Sequence, residues 1–132
     1  MDTFSVEIVT PIKILNQENV SYIRCPGVDG SFGIMKKHRQ GVIALDIGEI
    51  KIDSNGNTAW YATSGGFVEI GSEKIELLLE SIEKSNEIDV KRATEALERA
   101  KDRKKNSAEK IDNIRLEASL SRALNRLKVS KK

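Results

Sequence analysis

Scarcity is the first information in this 132-residue chain. It has one cysteine, one histidine, two prolines and six aromatic residues. A single cysteine excludes intramolecular disulfide frameworks and multi-cysteine zinc sites, and fits a reducing compartment. Cys25, between Arg24 and Pro26, reads as a half-buried strand residue. No run approaches the roughly 18 apolar residues of a membrane span. No apolar block follows the acidic start Met1-Asp2-Thr3, so no signal peptide is expected and any membrane association is indirect, through partners. With only His38 available, in Met35-Lys36-Lys37-His38-Arg39, and no carboxylate pair or nucleophile elbow beside it, hydrolytic chemistry lacks its parts. His38 reads as a surface-loop residue. No catalytic residue and no metal site are expected.

The scarce residues are also unevenly placed. All nine glycines, both prolines and all six aromatics lie at or before Gly71. Charge divides in the same region: 8 basic and 12 acidic side chains up to Lys84, then 14 basic and 8 acidic, which the net +2 of the whole chain conceals. An acidic, turn-rich part is joined to a basic part without helix breakers. The expected fold is α+β: an antiparallel β-sandwich over 1–84, then an antiparallel two-helix hairpin over 85–132.

The first part alternates with the period of strands. Phe4, Val6 and Ile8 share one face, and Ile12, Ile14, Val20 and Tyr22 extend the pattern. Val42 to Ile47, Glu49 to Asp53, Trp60 to Thr63, Phe67 to Ile70 and Lys74 to Leu79 follow. Pro26-Gly27 and Asp29-Gly30 read as turns, and Asn55-Gly56 as a type I′ hairpin turn. The glycines of Gly27 to Gly33 connect strands, since no helix follows and no GKS/T occurs.

From Ser81 onward the strong helix formers take over. A first helix from about Asp89 to Lys105 puts Val90, Ala93, Ala96, Leu97 and Ala100 on one stripe, with Glu87 and Asp89 near its positive end. Asn106-Ser107 is the expected break. A second helix, from about Glu109 to Lys128, carries Ile111, Ile114, Leu116, Ala118, Leu120, Ala123, Leu124 and Leu127. Small alanines facing leucines let antiparallel helices approach closely. Such a hairpin is marginal alone and is expected to rest on the first domain or a partner.

Arginine phase is the strongest chemical signal. At 100° per residue, Arg92, Arg99 and Arg103 fall within about 40° of one another, as do Arg115, Arg122 and Arg126. Facing stripes would repel unless an anion lay between them, and the planar guanidinium fork suits phosphate. Asp89 is then a candidate acceptor for a base or ribose hydroxyl. The plainer reading is a solvated face paired with Glu95, Glu98, Asp102 and Glu117, or a dock for an acidic partner.

Several segments, taken in order, resemble one family. They are Val6-Glu7-Ile8-Val9-Thr10-Pro11; Pro26-Gly27-Val28-Asp29-Gly30-Ser31-Phe32-Gly33-Ile34; Leu45-Asp46-Ile47-Gly48-Glu49-Ile50-Lys51-Ile52; and Ser64-Gly65-Gly66-Phe67-Val68-Glu69-Ile70. Ile88-Asp89-Val90-Lys91-Arg92-Ala93 completes the set. Together they resemble the epsilon subunit of bacterial F-type ATP synthases over nearly the whole chain. The resemblance implies a non-catalytic rotor subunit of the central stalk, at the cytoplasmic face of the membrane. Its sandwich holds the gamma subunit and the c-subunit ring, and its hairpin either folds on the sandwich or extends to the alpha/beta catalytic head and blocks ATP hydrolysis. No cofactor is required, but ATP holds the folded form in some members. By similarity Ile88, Asp89, Arg92 and Ala93 match the nucleotide-associated motif, and Glu83, Arg99, Arg122 and Arg126 match nucleotide contacts. Helical spacing adds Arg103 and Arg115. After Ile34 the family usually has Leu-Pro-Gly-His, where this chain has Met35-Lys36-Lys37-His38, so a changed loop is expected. The alternative from the residues alone is a freestanding module whose basic hairpin binds nucleic acid or an acidic protein. The lack of stacking aromatics in that half argues against nucleic acid.

Overall fold

A computed structural model describes residues 2–106 and 110–132. Nine strands, β1 (Phe4–Val9), β2 (Ile14–Gly27), β3 (Gly30–Ile34), β4 (Gly41–Leu45), β5 (Gly48–Ser54), β6 (Asn57–Thr63), β7 (Gly66–Ile70), β8 (Lys74–Leu79) and β9 (Ile82–Lys84), precede helices α1 (Val90–Asn106) and α2 (Lys110–Ser130). The alternation at Phe4, Val6 and Ile8 buries all three, as the period-2 pattern requires. β1, β8, β7 and β4 lie side by side, and β2, β5, β6 and β9 continue the order. β2 serves both groups: its first half pairs with β1, its second with β5 and β3. Its register shifts at Val20, beside Asn19 at φ 57°, a left-handed value that asparagine tolerates better than most residues. The strands enclose a core that includes Val6, Ile8, Ile23, Ile34, Ile50 and Leu77, all essentially without solvent contact.

Four expectations change here. The sandwich is not wholly antiparallel, because β1 runs parallel to β8 from Ser5↔Lys74 to Val9↔Leu78. Pro26-Gly27 is no turn; both residues stay in β2, opposite Ser31 and Gly30, and the chain reverses at Val28-Asp29. Proline's fixed φ is compatible with extended backbone, and its carbonyl still accepts from the Asp46 N–H at 2.8 Å. Cys25 is fully buried rather than half-buried, because it points into the core. Burial pushes its thiol up to about 12, so it stays protonated and unreactive near neutral pH. Finally, Ile82-Glu83-Lys84 forms an edge strand on β6 instead of leading into a helix. The Asn55-Gly56 turn is as expected, with both residues at positive φ.

In the hairpin, Ala93, Leu97, Ala100 and Ala123 are buried, whereas Val90, Ile114 and Leu124 are exposed. Val90 belongs to the first turn of α1, and Ile114 and Leu124 lie off the seam. The break expected at Ser107 and the start at Glu109 lie outside the described residues; Asn106 is still helical. α2 is the helix that rests on the sandwich, against β5 and β6. Val129, one residue beyond the expected helix end, is completely buried with Ala62 and Ile88. Asn125 Nδ2 donates to the Gly48 carbonyl at 2.7 Å. No described helix is long and apolar enough to cross a membrane.

Candidate nucleotide-binding cleft

The two arginine stripes do converge. A cleft of about 350 Å³ lies between the helices, lined by Arg99 and Arg103 from α1, Arg122 and Arg126 from α2, and Glu83 from β9. Its walls are Ala96, Ala100, Ala123, Leu116 and Ser119. The small residues make it: larger side chains at the alanine positions would fill the space between the guanidinium groups. Arg126 holds Glu83 by two bonds, Nε to Oε1 at 2.6 Å and Nη2 to Oε2 at 3.0 Å. This fork-to-carboxylate geometry ties hairpin to sandwich. Arg122 Nη2 donates to Ser119 Oγ at 3.1 Å. Four guanidinium groups against one carboxylate leave the cleft strongly cationic. Among the described residues, Glu83 is the carboxylate that pairs with a cleft arginine, and Glu117 pairs with Lys104 across the hairpin. The plainer expectation of arginines neutralised by Glu95, Glu98, Asp102 and Glu117 is therefore not what the fold contains.

Glu83, Arg99, Arg103, Arg122 and Arg126 are thus brought together. Ile88, Asp89, Arg92, Ala93 and Arg115 do not line the cleft. The first four build the start of α1. Asp89 Oδ1 accepts the Arg92 backbone N–H at 3.0 Å, and the Ala93 N–H bonds the Asp89 carbonyl at 2.9 Å. Asp89 is a helix N-cap, so one carboxylate oxygen expected for a base or ribose is already occupied. Ile88 is buried beneath the hairpin and Ala93 is completely buried. The motif thereby sets the phase of α1, placing Arg92 two turns before Arg99 on nearly the same face. Arg115 is exposed on α2. Sequence reasoning missed Asn125 and Val129, which follow Arg122 at i+3 and i+7 and share its face.

Chemistry elsewhere is sparse. His38 is exposed, as expected, with Nδ1 at 2.9 Å from the Arg39 carbonyl. Lys37, where the resemblance implied glycine, stands at φ 71°, and the His38 N–H bonds back to the Met35 carbonyl. A lysine thus holds a left-handed conformation that favours glycine, at a cost of about 1 kcal/mol. Tyr61 is raised above its ordinary pKa, by burial foremost, with the charge of Glu87 adding and a hydrogen bond from Gln17 opposing. Among the described residues no cluster of histidine, cysteine and carboxylates suits a metal ion.

Comparison with known proteins decides the family. Residues 3–85 match the model of the ATP synthase delta/epsilon chain β-sandwich domain, and residues 86–131 match its long α-helix domain. The epsilon chain of Nitratidesulfovibrio vulgaris is 41% identical over 124 residues, 94% of this chain and 92% of that one. The chain belongs to the epsilon chains of bacterial F-type ATP synthases. The epsilon chain of Syntrophomonas wolfei is 40% identical over 131 residues, covering 98% and 96%, and that of Bacillus mycoides is 37% identical over 130, covering 98% of each. Among solved structures, a chain of the Euglena gracilis mitochondrial ATP synthase (OSCP/F1/c-ring) superposes with a TM-score of 0.84 at 20% identity, covering 98% of this chain and 82% of that one. A chain of the Tetrahymena thermophila mitochondrial ATP synthase central stalk/c-ring does so with 0.64 at 18%, covering 98% and 97%. At those identities the likeness concerns the fold alone.

Proposed function

We propose that this epsilon chain is a non-catalytic rotor subunit of the central stalk at the cytoplasmic face, with a hairpin that regulates ATP hydrolysis and is held folded by ATP. The observation that carries this reading is the cleft of Arg99, Arg103, Arg122 and Arg126 with Glu83 as its one carboxylate. A polyphosphate spanning both helices relieves their mutual repulsion and binds the folded hairpin alone. It therefore stabilises that state by mass action, by about 2.7 kcal/mol at a hundred times its Kd. The nucleoside end would run along α1 toward Arg92 and Asp89. Without ATP, extension frees the same arginines for acidic surfaces of the alpha/beta head. Proposed partners are the gamma subunit and the c-subunit ring.

The outer face of β4, β7, β8 and β1 supports docking to the rotor. Strand register aligns Ala44, Phe67, Leu78, Val9 and Ile14 in one apolar row. Phe67, Leu78 and Ile14 are 52%, 42% and 62% exposed. The next row sets Glu69, Glu76 and Glu7 directly opposite one another, a like-charge arrangement relieved only in part by Lys74. An apolar strip beside an acidic one fits a partner presenting apolar and basic groups. Changing Phe67 and Leu78 together to Asp is expected to cut co-purification with gamma and c subunits from membranes roughly tenfold or more. Two aspartates facing each other across the β7–β8 ladder repel, so the uncharged pair Phe67→Thr and Leu78→Thr is the control: it should also cut recovery while barely moving the melting temperature of the free chain. Undiminished recovery would remove this face from the interface.

A further inference from the structure

We propose that the end of α2 is a ligand-independent latch that holds the hairpin folded, separate from the arginine cleft. Its socket lies on the sandwich. Val129 is without solvent contact, packed with Ala62 of β6 and with Ile88, against the partly buried Trp60. This small apolar cluster is distinct from the sandwich core and gathers residues from the sandwich, the linker to α1 and α2. It exists only while α2 is docked. Just past the helix, Lys132 Nζ sits 4.5 Å from the centre of the Trp60 ring and 3.8 Å from Glu49 Oε2. Lys51, opposite Trp60 in the β5–β6 ladder, places its own ammonium 5.7 Å from that ring. Docking leaves Glu49 Oε2 shielded from water and without a hydrogen bond. The Lys132 ammonium is the group that offsets this loss of hydration.

The consequence is a division between two holds. The cleft answers to an anion, while the latch answers to contacts the chain carries itself, and neither Trp60, Val129, Lys132 nor Glu49 lines the cleft. The hairpin of the free chain is therefore biased toward the folded state before nucleotide arrives, and nucleotide deepens that bias. This regulatory meaning rests on the switching reading given above; the latch itself does not.

The test uses the full chain without nucleotide. Amide hydrogen exchange in α2, between Leu120 and Val129, should run roughly fivefold faster in Lys132→Gln, from the combined loss of a cation–π contact and a partly shielded ion pair. Lys132→Arg should restore the slow rate, since guanidinium also stacks on indole. Lys131→Gln, the same charge change one residue away, should leave it unaltered. A second route reads Trp60, the chain's single tryptophan: Val129→Asp should raise its quenching by acrylamide while the exchange of β5 and β8 stays slow. Equal exchange in the Lys132→Gln and Lys131→Gln variants, or unchanged Trp60 quenching on undocking by Val129→Asp, overturns the latch. Because no nucleotide is present, such a failure leaves the ATP reading standing, and an inability to bind ATP leaves the latch standing.

Discussion

Arg122→Ala should weaken ATP binding to the isolated chain by about ten- to a hundredfold in calorimetry, the loss expected when charge-assisted hydrogen bonds of about 1.5–3 kcal/mol are removed. Arg122 is the cleanest position because its described contact is the neighbouring Ser119 hydroxyl, so its removal orphans no carboxylate. Arg126→Ala should lose ATP affinity as well, but by two routes. It removes a cleft guanidinium and also the bidentate tie to Glu83. That tie is partly exposed, with Arg126 at 27% and Glu83 at 34%, so water screening keeps its own contribution to docking small. A comparable loss in both variants would mean that ATP senses the guanidinium groups directly. If neither variant changes the affinity, the four-arginine cleft is not the nucleotide site.

Gly66→Ala should be the most damaging single methyl in the sandwich. Gly66 has φ 149°, and a Cβ there would lie 2.0 Å from the Leu78 carbonyl oxygen and 2.9 Å from Leu79 Cα. Both are backbone atoms of the β7–β8 ladder, in which Gly66 pairs with Leu79, so neither can rotate away. The combined strain and overlap should cost about 3 kcal/mol or more, lowering the melting temperature by roughly 10 °C. Gly41→Ala is the matched control, because a Cβ there meets nothing within 4 Å. It should stay within about 0.5 kcal/mol of the parent in urea titration. The damage should also reach the corner that leads into β9. Thr63 Oγ1 donates to the Ser81 carbonyl at 2.8 Å, and the Gly65 N–H is bonded to the same hydroxyl. Displacing this corner disturbs β9 and with it Glu83. A Gly66→Ala chain as stable as the parent would show that the corner relaxes freely.

Strands with one buried face were legible because alternation at Phe4, Val6 and Ile8, or at Ile50 and Ile52, reports burial directly. The Asn55-Gly56 turn was legible because few dipeptides accept two positive φ values. The parallel partnership of β1 with β8 was not, since nothing local records which strand lies alongside. β9 was hidden by composition: Glu83 and Lys84 favour helix, and only the free edge of β6 makes Ile82 to Lys84 a strand. For the site, helical period alone put Arg99 with Arg103 and Arg122 with Arg126, and the alanines that let the helices close were visible beside them. Period alone did not show that Asp89 is consumed as a cap, although an acidic residue at that position is what a helix start needs. Val129 was lost to a helix boundary placed two residues early.

The central claim is that nucleotide strengthens the hold of the hairpin on the sandwich, and a distance between the two parts in the assembled synthase tests it most directly. Cysteines introduced at the exposed positions Asn57 and Lys101 can be spin-labelled on the isolated chain, whose own Cys25 is buried and protonated, before it is reassembled into the synthase. Pulsed EPR with saturating ATP should give one narrow distribution matching the folded hairpin, and removal of nucleotide should add a longer population. Identical distributions with and without ATP would contradict the account.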